Sequence, residues 1–147
     1  MALPSHQLDG LLPPGVHPCP WDELRLVCGS SVYRSSILAG LLEASKLLAY
    51  AGCASLYVDG SFVTKKLFPG DFDACWDTAG VNAALVDPVF FDFKNKRAAQ
   101  KARFKGELFL AHGIAAPGFT FFQFFQRDKN SGKPKGIVAL DLGSLPT

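Results

Sequence analysis

The chain has 147 residues, enough for one sizeable core and too few for two comfortable domains. With 48% hydrophobic and 19% charged residues it belongs with folded proteins, and thirteen phenylalanines against one methionine imply a rigid, aromatic-rich core with some apolar surface left for a partner. A formal net charge of +2 is too small to make a nucleic-acid binder by itself, and no apolar run reaches the roughly 18 residues that a membrane span needs.

Residues 1–20 hold five prolines and two glycines and are expected to form a loop or arm draped on the surface. This start lacks the basic opening and continuous apolar stretch of a secretory signal, so a soluble, cytoplasmic protein is expected. Residues 21–147 read as a single domain. Trp21 to Cys28 suit a short helix after Pro20. Val32 to Ala51 carries the clearest helical spacing, with Ile37, Leu38, Leu41, Leu42, Leu47 and Leu48 on one side and Glu43 and Lys46 between them. Ser30 or Ser31 can cap its start and Gly52 its end.

"SLYVDG" then reads as a buried strand ending at Gly60, and "DFDACWD" as a second strand with Trp76 in the core. Between Phe93 and Gly106 lie six basic residues and no acid, in a segment of helical composition. On a regular helix Arg97, Lys101 and Lys105 would form one positive stripe, either a solvated face or a track for phosphates. "ELFLAH" is a short strand. "GFTFFQFFQRD" fits strand or helix and reads as core, with an interface patch as the alternative. "NSGKPKG" is a turn whose Lys133 and Lys135 are expected in solvent, with phosphate contact as the minor alternative, leading into the strand "GIVALDL". Cys19, Cys28, Cys53 and Cys75 show no CxxC pairing and are expected as free thiols, and His17 and His112 lack metal-ligand spacing. The resulting order points to an α/β (α+β) protein with a small mixed sheet flanked by helices.

The stretch "VDGSFVTKKLFPGDFDACWD" carries the chemistry. Gly60 lets backbone approach a ligand, Ser61 offers a hydroxyl, and a helical turn begun at Phe62 would aim amides at an anion near Lys65 and Lys66. Asp71 and Asp73, two apart on an extended segment, project to one face with Phe72 turned into the core. Paired carboxylates of that kind suit a hard dication such as Mg²⁺ alongside substrate phosphates.

Gly-Ser followed by Asp-x-Asp resembles the signature of the DNA polymerase β-like nucleotidyltransferase superfamily, in its minimal single-domain form. The frame formed by "LPPGVHP", "LLEASKLLAYAGC", "NKRAAQKARFKGELF" and "FFQRDKNSGKPKGIVALDL" is similar to a bacterial and phage family of small nucleotidyltransferase-like proteins. That resemblance implies a polymerase β-like fold, phosphate contacts from Gly60 and Ser61, and Mg²⁺ or Mn²⁺ on Asp71 and Asp73. It also implies a third carboxylate on a strand after an intervening helix, for which Glu107 matches best, with Asp92 and Asp141 as alternatives. Lys65 and Lys66 stand where fuller minimal transferases carry an arginine, and Arg97 and Lys101 are the further nucleotide-binding candidates. The implied activity moves a nucleoside monophosphate from an NTP to a hydroxyl on a protein or RNA acceptor, in a toxin–antitoxin or phage-defence setting. The acceptor could be a partner protein, and a homo-oligomer is open. The rivals are a catalytically degenerate binding module and an RNA-binding protein working through the basic helix.

Overall fold

The computed structural model describes residues 3–146; Met1, Ala2 and Thr147, the outer ends of the expected arm and domain, lie outside the described residues. Four helices and a five-stranded mixed sheet make up the body, so the α+β expectation holds. The strands are β1 (Gly15–Cys19), β2 (Ser55–Asp59), β3 (Phe72–Trp76), β4 (Gly106–Leu110) and β7 (Gly136–Asp141), ordered β1-β7-β2-β3-β4. A two-stranded ribbon of β5 (Ile114–Ala116) and β6 (Phe119–Thr120) stands apart. The β1–β7 and β3–β4 pairs are parallel; β2 runs antiparallel to both β3 and β7.

The first twenty residues are not merely a surface arm. Gly15 to Cys19 pair in register with Gly136 to Leu140. Prolines obscure strand alternation in the sequence, yet β1 is an edge strand, where Pro18 needs no donor for a second neighbour. Helix α1 (Trp21–Cys28) and helix α2 (Val32–Tyr50) match the expected spans, and the Ser31 side chain accepts from the Arg34 amide at the start of α2.

Strand alternation sends Leu56, Val58, Phe72, Ala74, Trp76, Leu108, Val138 and Leu140 to one face, where they form the main core with Leu24, Leu41, Leu48 and Phe104 from the helices. Gly40 allows the closest approach within this layer. A Cβ there would sit 1.8 Å from the Phe104 carbonyl oxygen, so only glycine lets α2 lie against the end of the third helix. The opposite face carries a smaller cluster of Cys75 and Ile137 with Tyr57 and Phe109, covered by Phe121, Phe122 and Phe125. These phenylalanines come from the ambiguous aromatic segment, which is both things at once: β6 ends at Thr120, whose side chain caps helix α4 (Phe121–Phe124) in a reciprocal capping box with Gln123. All four cysteines are buried free thiols, as expected. No helix among the described residues is long and apolar enough to cross a membrane.

Helix α3 (Lys94–Phe104) departs from the regular helix expected there. Asn95, Lys96 and Arg97 all have positive φ, so the segment begins with a left-handed turn before right-handed helix resumes. Lys105 is also left-handed, as the C-terminal cap. Arg97, Lys101 and Lys105 therefore form no continuous stripe. Left-handed geometry costs non-glycine residues about 1–2 kcal/mol each, and contacts made by Arg97 offset that cost.

Candidate functional site

The second face of the sheet places acids in a row. Asp59 on β2 lies opposite Asp73 on β3, which lies opposite Glu107 on β4. One register step along, Tyr57, Cys75 and Phe109 form the adjoining apolar row beneath the α4 phenylalanines. Each strand thus contributes an aromatic or apolar residue and, two positions away, an acid. The polar ends project where the aromatic cover stops.

Asp71, just before β3, completes the cluster. Carboxylate oxygens of Asp71, Asp73 and Glu107 lie within 4.8 Å of one another. The two alternatives to Glu107 do other work: Asp92 accepts from the Lys94 amide, and Asp141 accepts from the Gly143 amide after β7. Burial pushes the Asp73 carboxyl up to about 7, reinforced by the negative charges of Asp71, Glu107 and Asp59. Asp71 is raised as well, first by burial and then by Glu107, against the opposing pull of Lys101 and Lys129. Oxygen-only donors whose charges repel, with Arg97 and Lys101 offsetting Glu107 alone, are a set that could hold a hard dication such as Mg²⁺ or Mn²⁺.

Gly60 abuts this cluster. Its φ of 86° suits glycine, and a Cβ would come within 3.0 Å of Asp73 Oδ2. The helix expected after Ser61 is a single 3₁₀ turn, Ser61–Val63, in which the Val63 and Thr64 amides donate back to the Gly60 and Ser61 carbonyls. Thus a helix dipole does not contribute here. Order in this loop comes from Arg34 on α2. Its buried guanidinium donates to the carbonyls of Cys28, Phe62, Thr64 and Lys66. Replacing Arg34 by methionine is expected to lower stability by about 2–4 kcal/mol, because carbonyls are left without donors. Amide exchange over residues 61–66 should accelerate by at least tenfold; unchanged exchange at Val63 and Thr64 would disconnect Arg34 from the loop.

A cleft of about 530 Å³ opens at the cluster, lined among others by Gly60, Ser61, Lys66, Asp73, Arg97 and Glu107. Lys65 does not line this cleft: its amide donates to the Gly10 carbonyl, and it lines a separate cavity beside His6 and Arg34, which Lys66 borders as well. Arg97 Nε donates to Glu107 Oε1 at 2.6 Å, with Lys101 Nζ 3.6 Å from the same oxygen, and the Arg97 guanidinium lies 5.1 Å from the Phe109 ring centroid. These contacts draw Arg97 inward and account for its left-handed backbone.

Sequence reasoning missed Asp59 and misplaced Lys135. Lys135 is not a solvated turn residue: its Nζ donates to Asp59 Oδ1 at 2.7 Å, with both side chains largely buried. Arg127, Lys129, Phe121 and Phe124 also line the cleft and were not singled out. The strand "SLYVDG" did carry a signal for Asp59, since alternation puts it on the same face as Tyr57.

No curated protein and no solved structure matches the chain. The family of unknown function DUF6932 matches over residues 4–141, nearly the full length, and the chain belongs to that family.

Proposed function

We propose that this chain is a metal-dependent nucleotidyltransferase of the polymerase β-like type, moving a nucleoside monophosphate from an NTP to a hydroxyl on a protein or RNA acceptor. The observation that carries this reading is the convergence of Asp71, Asp73 and Glu107 within 4.8 Å, with Asp73 and Glu107 lining a cleft that also presents Gly60, Ser61, Lys66, Arg97, Lys129 and Lys135. Acids at the centre and bases around them match a polyphosphate that arrives with its own dication.

Asp71, Asp73 and Glu107 would hold Mg²⁺ or Mn²⁺. When bound, the dication supplies charge neutralisation at the phosphates and favours ionisation of the attacking hydroxyl. Gly60 leaves room for a phosphate to approach the chain, and the Ser61 hydroxyl can donate to one of its oxygens. Arg97, now held on Glu107, can pass to the developing negative charge. The acceptor oxygen forms a bond to the α-phosphorus, the bond from that phosphorus to the bridging oxygen breaks, and pyrophosphate leaves. Glu107, once Arg97 moves off it, would accept the hydroxyl proton.

The test is transfer of label from each α-labelled NTP, with Mg²⁺ or Mn²⁺, into RNA or protein of a lysate. Wild type is expected to label an acceptor, and Asp71→Ala/Asp73→Ala to lose at least a hundredfold. Equal labelling by both proteins would remove the catalytic claim. Metal-dependent nucleotide binding without transfer would leave the binding-module alternative.

A further inference from the structure

Beside the cleft lies a second, mostly apolar cavity of about 260 Å³, and Phe124, Arg127, Asp128 and Lys129 line both. Phe121 on α4 and Phe125 at its C-cap turn onto Phe109, with Phe109 and Phe121 stacked at 4.2 Å between centroids. Phe124 lies off that face and stays exposed at 42%. The Arg127 guanidinium carbon lies 5.1 Å from the Phe119 ring centroid, a cation–π contact that layers the two side chains. A mostly apolar cavity that shares Arg127 and Lys129 with the cleft holding Asp73 and Glu107 suits a planar aromatic group that carries an anionic tail.

We propose that this side cavity is the nucleobase site. The base stacks on Phe124 and the Arg127–Phe119 layer, while the polyphosphate runs past Lys129 into the cleft toward Asp71, Asp73 and Glu107. This assignment rests on the nucleotidyltransferase reading for the tail, and on the shared lining of the two cavities for the base. Part of the polar lining is already engaged. Asp128 Oδ2 accepts from the Ser131 amide and hydroxyl, and the Gly132 carbonyl accepts from Arg127. Stacking therefore governs recognition more than hydrogen bonding to base edges does.

Binding of each NTP and of inorganic tripolyphosphate, measured by calorimetry with Mn²⁺ on wild type, Phe124→Ala and Phe124→Trp, tests the assignment. Phe124→Ala is expected to weaken NTP binding by roughly tenfold to a hundredfold, the range found when a base loses an aromatic platform, with tripolyphosphate binding unchanged. Phe124→Trp should keep NTP affinity within about threefold of wild type, with indole fluorescence quenched by NTP and not by tripolyphosphate. NTP affinity unchanged in Phe124→Ala, or an equal loss for tripolyphosphate, would overturn the base site alone. Wild type that binds neither ligand would overturn both readings. Base-dependent binding without any transfer would sustain the base site and remove only the catalysis.

Discussion

Replacing Lys135 by methionine is expected to destabilise the protein by about 3–5 kcal/mol at neutral pH, the usual consequence of removing one partner from a buried ion pair. Methionine fills much of the volume of the lysine stem, so lost packing contributes little. Most of the loss is electrostatic. Asp59 is 5% exposed and sits opposite Asp73 in the sheet, so without the ammonium its carboxylate faces a second acid across low-dielectric protein. Even with Lys135 present, burial outweighs the lysine and holds the Asp59 carboxyl above its usual range. Removing the cation raises it further. Because the raised pKa belongs to the folded state, the folded chain keeps the proton that the unfolded chain releases, and the deficit grows as pH rises above the unfolded value. Urea denaturation should therefore show a smaller loss at pH 5 than at pH 8. Lys135→Met/Asp59→Asn should recover at least about 2 kcal/mol, since the unpaired charge is gone. Equal instability of the single and double variants would show that Lys135 acts through packing and not through Asp59.

That pair illustrates what the sequence made legible and what it hid. Helix α2 was readable because its apolar positions recur at helical spacing over nineteen residues between Ser31 and Gly52. Asp71 and Asp73 were readable as a pair because a period of two is local. Lys135 was not, because "NSGKPKG" is turn chemistry whichever way the last lysine points. Only the placement of β7 beside β2 brings it over Asp59. The left-handed start of α3 was hidden for the same reason. "KNKR" has ordinary helical propensity, and its distortion follows from Glu107 and Phe109, which reach Arg97 from the next strand. Glu107 itself could be placed first among three acids only through the order that the family resemblance implies; its register against Asp73 is a long-range fact. Strand β1 was masked by prolines that an edge position tolerates.

Asp73 gives the strongest pH and metal signature. Its folded-state pKa of about 7 lies above the 3.8 of the free side chain, so the native state holds a proton that the unfolded chain gives up. Stability from this group is complete below about pH 4 and is lost as pH rises through 7. The shift amounts to on the order of 4 kcal/mol, and the raised Asp71 and Asp59 carboxyls act in the same direction. The metal-free protein should therefore lose stability steadily between pH 4 and pH 8, even though maximal stability commonly lies within that range for other proteins. Asp73→Asn should flatten most of that slope and, at pH 8 without metal, be more stable than wild type. Mn²⁺ should reverse the order. A dication replaces the proton among Asp71, Asp73 and Glu107, and at a hundred times its dissociation constant it adds about 2.7 kcal/mol to wild type. Asp73→Asn, lacking the central carboxylate, should gain little. Urea denaturation from pH 4 to 8, with and without Mn²⁺, separates these outcomes. Parallel pH profiles for the two proteins would mean that repulsion in the cluster is already relieved, and equal stabilisation by Mn²⁺ would move the metal away from Asp73.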